Sequence, residues 1–113
     1  MVCGHLDLTT KEFKEHYEPL LEKYIAEGCD FVVGDAPGAD YMTQVFLKEK
    51  GIKAIVYHMF SKPRRYMNGH DLCGGYDSDK ERDEAMIDIA DKIVGWARPG
   101  REDSATYKYI NLK

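Results

Sequence analysis

Four stretches of the chain gather residues that can do chemistry. The first, Gly34-Asp35-Ala36-Pro37-Gly38-Ala39-Asp40, follows the apolar run Phe31–Val33 and precedes a helical pattern. Gly34 and Gly38 permit close backbone approach or positive φ, and the helix behind them favours an anion at its N-terminus. Asp35 and Asp40 are themselves negative, so Asp35 suits a hydroxyl-rich group such as ribose better than a phosphate, while Asp40 suits an N-cap. A tight turn with a cap accounts for the same residues about as well. The second stretch, Arg98-Pro99-Gly100-Arg101-Glu102-Asp103-Ser104-Ala105-Thr106, offers hydroxyls from Ser104 and Thr106 and charge from Arg98 and Arg101. Glu102 and Asp103 suit the dipole of a following helix without any ligand.

The third stretch holds Lys62, Arg64 and Arg65, with His58, Tyr66 and His70 nearby. Three cations so close together can clamp a phosphate, and a solvated loop is nearly as good a reading. The fourth is Glu81-Arg82-Asp83-Glu84, where paired carboxylates suit cleavage of an N-glycoside, one acid acting as nucleophile or base. An exposed charged helix face is the commoner explanation of such a run. Arg82 lies near a helix N-terminus, where the dipole disfavours a cation, so a bound anion would explain it. Its truncation is expected to weaken ligand binding and to leave the melting temperature nearly unchanged. No metal site is expected, because His5, His16, His58 and His70 are scattered and no HExxH-type spacing occurs.

These groups need elements to hold them. Thr9-Thr10-Lys11-Glu12 fits a capping box, and Phe13, Tyr17, Leu20, Leu21, Tyr24 and Ile25 follow at helical spacing, with a kink expected at Pro19 and an end at Gly28. Tyr41–Lys50 reads as a second helix, closed by Gly51. Ser78-Asp79-Lys80-Glu81 is a second capping box, heading a helix with Ala85, Met86, Ile89 and Ala90 on its buried face. Ser104–Leu112 reads as a short last helix. Strands are expected at Met1–Cys3, Phe31–Val33, Lys53–Tyr57 and Lys92–Ala97. His58–Asp77 shows no period and reads as a lid or binding loop with a hinge at Gly74-Gly75. Strands alternating with helices favour a parallel sheet covered on both faces, with ligands at the carboxyl ends of the strands. The loops after the strands, Gly4–Leu8 among them, are therefore the informative ones.

The composition is that of an ordinary soluble domain. The chain has 113 residues, 43% of them hydrophobic and 32% charged, enough for one domain with one sizeable core. A net charge of −4 argues against a general nucleic-acid or anionic-membrane surface, and no run approaches a membrane span. The N-terminus lacks the basic and apolar regions of a signal peptide. Cys3, Cys29 and Cys73 lack CxxC spacing, and reduced thiols in a cytoplasmic protein are the expectation.

With these loops placed, the chain resembles the SLOG superfamily, which includes the LOG phosphoribohydrolases, DprA-type proteins and small YspA-like proteins. "VVGDAPGAD" is similar to the Gly-Gly-Ala-Arg-Gly-Ala-Asp segment of the YspA-like group. "KERDEAM" (Lys80–Met86) is similar to the Glu-Arg-Lys-Ala helix of LOG enzymes and to the Arg-Asn-x-x-Met helix of YspA-like proteins. "WARPGREDSATYKYI" stands where the family carries Pro-Gly-Gly-x-Gly-Thr. The three motifs keep the family's order over about residues 31–110.

The resemblance implies a single α/β, Rossmann-like three-layer domain over residues 1–113 with a mostly parallel sheet of four to five strands. It implies ligand contacts from Gly34, Gly38 and Asp40, from Arg82, and from Gly100, Ser104 and Thr106. Pro37 replaces an arginine of the YspA-like pattern, and Lys108 stands where LOG enzymes carry a catalytic glutamate. That tilts the expected function toward binding a nucleotide or nucleoside-derived small molecule, with no further cofactor. The alternative is an N-glycosidase or deoxyribosyltransferase-like enzyme using Glu81, Asp83 or Glu84. Arg64, Arg65 and Arg98 are the additional expected anion contacts. A homodimer or larger assembly is expected from the helix faces carrying Tyr17, Tyr24, Met42 and Phe46.

Overall fold

The computed structural model describes residues 1–101 and 104–113. In chain order the elements are α1 (Thr10–His16), α2 (Glu18–Ala26), β1 (Val32–Gly34), α3 (Ala39–Glu49), β2 (Ile55–Met59), β3 (Asp71–Tyr76), α4 (Asp79–Ile89) and α5 (Ala105–Ile110). The three strands form one parallel sheet in the order β1-β2-β3. Four to five strands are expected from the sequence, and three are formed among the described residues. The expected end strands survive as single parallel bridges: Val2 sits between Val33 and Val94. Backbone hydrogen bonds tie Val2 N to Val32 O and Cys3 N to Val94 O. These segments are too short and irregular to continue a ladder, yet they carry the sheet's direction outward from β1.

Helices cover both faces. Val33 and Val56 point into a core with Phe13, Tyr17 and Leu21 of the α1–α2 region and Phe46 and Leu47 of α3. On the other face Met1, Cys3 and Tyr57 pack with Met86 and Ala90 at α4, and with Tyr109 and Ile110 of α5. Tyr17 and Phe46 are buried, and Tyr24 and Met42 pack against the same core. Tyr17 and Phe46 are therefore internal and Tyr24 and Met42 half-buried, so these side chains do not form the open apolar face from which a homodimer is expected. Among the described residues no helix is long and apolar enough to cross a membrane.

Local chemistry sets the helix ends. Thr9 and Glu12 form the expected capping box, each side chain accepting from the other's backbone N–H. The first helical run breaks at Tyr17, and Pro19 lies in the first turn of α2, where its missing N–H costs nothing. The Tyr17 hydroxyl donates to Cys3 O at 2.7 Å and accepts from Trp96 N at 3.1 Å, joining the two outer segments. The helix expected to start at Tyr41 begins at Ala39, with Gly38 as N-cap at φ 77°. A Cβ at Gly38 would run into the backbone of His5 and Leu6.

The aperiodic segment holds a strand. β3 pairs with β2 through a register shift, and Gly74 and Gly75 lie inside it rather than at a hinge. The His58 ring occupies the space a Cβ on Gly74 would need, and Gly75 has φ 91°. The connection from β2 to β3 is pinned as well. Buried Gln44 donates to Gly34 O and Arg65 O and accepts from Met67 N. His70 accepts from Ala54 N at Nδ1, its Nε2 lies 2.7 Å from Gln44 O, and the Tyr66 hydroxyl donates to His70 O. So many buried bonds make this segment part of the scaffold, in place of the expected lid.

Candidate functional site

A cleft of about 290 Å³ opens at the carboxyl ends of the strands. Ala36, Pro37 and Asp40 line it from the loop after β1, Arg82, Asp83 and Met86 from α4, and Arg101, Ser104, Ala105 and Thr106 from the last loop and α5. Gly4, His5 and Leu6, from the loop after Val2, close another side. Residues of all four stretches singled out in the sequence thus meet at one place, the third through Arg64 alone. A larger cavity of about 650 Å³ lies at the other end of the sheet, lined by Asp30, Lys53, Ile55 and Asp71 among others. None of the expected site residues lines it, and it faces the amino ends of the strands, so the smaller cleft is the candidate site.

The cleft is built over a buried charge cluster. Asp35 is fully buried and accepts from Arg64 N, Nε and Nη2 and from Arg82 Nη1 at 2.7 Å. Burial raises its pKa, but the hydrogen bonds from Arg64 and Arg82 outweigh burial and hold it below the ordinary value. Arg82 also donates to Asp83 from Nε at 3.1 Å and Nη2 at 2.8 Å, stands 3.3 Å from Asp79 and 4.0 Å from Asp40. Burial opposes its charge, and Asp83 and Asp40 outweigh that burial. Arg64 bridges Asp35 and Asp79. The expectation that Arg82 stands free for an anion is corrected here: neighbouring carboxylates already occupy its donors, because the dipole penalty of its position is offset by four acidic neighbours.

Asp40 behaves differently. It is buried within the first turn of α3 and does not cap the helix; Oδ2 accepts from Ala36 N at 3.2 Å, closing the loop instead. Burial pushes its pKa up to about 7 despite Arg82 nearby. Gly34 is required for this contact, since a Cβ there would lie 2.5 Å from Asp40 Oδ2 and 2.9 Å from Arg82 Cζ. Cys3 lines the cleft, but burial pushes its thiol up to about 12, so it is a poor nucleophile. Burial and the nearby Asp83 charge push the Tyr109 hydroxyl up to about 12.

The remaining expected residues divide. Asp40, Arg64, Arg82, Asp83, Ser104 and Thr106 line the cleft, although Ser104 Oγ already caps α5 by accepting from Tyr107 N. Gly34, Asp35 and Gly38 support its walls from behind. Arg98 is drawn away: its guanidinium pairs with Glu12 and Asp7, and its N–H donates to His5 Nε2. Arg65 is exposed, with its guanidinium on Arg64 O. Glu81 and Glu84 are exposed on α4, Glu84 opposite Lys80 at 3.9 Å, and neither lines the cleft. Gly100 has φ 88° and lies beside the cleft loop, outside its lining. Glu102 and Asp103 lie outside the described residues. The sequence reading missed His5, Leu6, Asp79 and Tyr109 as cleft residues. Only the position of Gly4–Leu8 after a short strand pointed toward the first two. Among the described residues no group of three or more His, Cys, Asp or Glu side chains is placed to hold a metal.

No family model, curated protein or solved structure matches the chain.

Proposed function

We propose that this cleft binds a nucleotide or nucleoside-derived small molecule. The observation that carries the reading is the convergence of three sequence-distant segments, around Ala36–Asp40, Arg82–Asp83 and Arg101–Thr106, on one cleft at the carboxyl ends of a parallel sheet. The resemblance to the SLOG superfamily gives the ligand class. Arg101 brings positive charge to a wall whose other arginines are already paired, and Asp83 with Tyr109 offers acceptor and hydroxyl groups suited to sugar hydroxyls. Three free cysteines suit a reducing, cytoplasmic setting.

A second reading, cleavage of the bond between base and sugar, is favoured by one feature. Asp40 and Asp83 share the cleft in different environments: burial raises the Asp40 carboxyl to about 7, and Asp83 accepts from Arg82. Two carboxyl groups so differentiated suit acid and base roles. Glu81 and Glu84 face solvent and drop out of that mechanism.

Thermal-shift and calorimetric titration against nucleoside monophosphates, nucleosides and ribose 5-phosphate tests the reading. A ligand at a hundredfold excess over Kd adds about 2.7 kcal/mol of stability. Arg101→Ala is expected to weaken binding of phosphorylated ligands most. Absence of any stabilisation across the panel at millimolar concentration rejects the proposal. Release of free base from a bound nucleotide, lost in Asp83→Asn, selects the hydrolytic reading.

A further inference from the structure

Leu6 is the most exposed large hydrophobic residue among those described, at 64% of its full accessibility, and it lines the cleft. Yet its backbone is held on both sides. Leu8 N donates to His5 O, closing the turn that contains Leu6, and Ala39 N donates to the same carbonyl. Gly38, at φ 77°, lets its loop lie directly against the His5 and Leu6 backbone. Pro37, with its rigid apolar ring, lines the same cleft from that loop. The other walls carry the polar groups of Asp83, Arg101 and Tyr109 between the nearly buried apolar side chains of Cys3, Ala36 and Met86.

The structure therefore shows an exposed apolar lip, carried on a fixed backbone, beside the charged groups of the cleft. We infer that Leu6 and Pro37 form the surface on which the flat base of the ligand lies, while its sugar and charged end face the polar walls. This deepens the proposed nucleotide reading and rests on it. A planar heteroaromatic ring gains from an apolar face whose backbone is fixed before binding, because the loop that carries it need not be ordered. Leu6 is thus a specificity-determining contact, separating nucleotides from sugar phosphates that share the same polar groups.

Calorimetric titration of wild type, Leu6→Ala and Leu6→Met with the four common nucleoside monophosphates and with ribose 5-phosphate tests it. Wild type is expected to bind at least one nucleoside monophosphate more tightly than ribose 5-phosphate. Leu6→Ala should lose about tenfold in affinity for that nucleotide, the scale of a partly buried leucine. Its affinity for ribose 5-phosphate should stay unchanged, and Leu6→Met should keep most of the nucleotide affinity. All three should melt together, since the side chain is exposed. Equal affinity of wild type for nucleotide and ribose 5-phosphate overturns the inference and leaves a sugar-phosphate site standing. So does an L6A variant that loses nothing, or loses equally toward both ligands. Binding of neither ligand by wild type overturns the inference and the nucleotide reading together.

Discussion

Arg82→Ala removes the cation that three largely buried carboxylates share. Arg82 is 5% exposed and contacts Asp35 at 2.7 Å and Asp83 at 2.8 Å, with Asp40 at 4.0 Å. Asp35 keeps Arg64 in the variant, so Asp40 and Asp83 bear the loss. Removing one partner from a buried ion pair costs about 3–5 kcal/mol. Asp83 borders the cleft and regains some water, which places the expected loss near the lower end, about 3 kcal/mol at pH 8, or about 12 °C in melting temperature for a domain of this size. The loss must depend on pH. Burial already pushes Asp40 up to about 7, and Arg82 pulls against that rise. Without Arg82 the Asp40 pKa climbs further. A carboxyl group raised in the folded state contributes stability that is held below its unfolded value and lost as pH rises through the folded value. The deficit of the variant should therefore grow from pH 5 to pH 8. Urea unfolding followed by circular dichroism at pH 5, 6.5 and 8 measures it. A deficit below about 1 kcal/mol at every pH would refute the buried-network argument, since that is the size of a solvated surface pair.

Asp40→Asn should flatten the pH dependence of stability between about pH 4 and 8. The rise of Asp40 from 3.8 to about 7 corresponds to at most about 4 kcal/mol, present at low pH and lost by pH 8, and a variant as steep as wild type in the same unfolding series contradicts this. Gly34→Ala should destabilise by about 2 kcal/mol, because its Cβ must displace Asp40 and Arg82; an unchanged melting curve argues against the close approach. Tyr17→Phe strips the bonds to Cys3 O and Trp96 N and should cost about 1–3 kcal/mol in chemical denaturation, with no effect expected if water replaces the hydroxyl.

The amino-acid order by itself determined what depends on near neighbours in the chain. Thr9 with Glu12, Ser78 and Ser104 fixed where helices begin, because a cap bonds two or three residues away. The alternation of apolar runs with helical patterns implied parallel strands, and residues that follow those strands line one cleft. β3 was not legible, since Asp71-Leu72-Cys73-Gly74-Gly75-Tyr76 is mostly exposed and two glycines interrupt any alternation; only its pairing with β2 makes it a strand. Which charges stay available was equally a tertiary matter. Asp35 and Arg82 are 47 residues apart and meet at 2.7 Å, so burial and mutual pairing turned two expected ligand contacts into the cleft's foundation. Arg98 went to Glu12 and Asp7 for the same reason. Residue type fixes what a side chain can bond, but the choice among acidic and basic partners is made by distance and desolvation, and those exist only once the chain has folded.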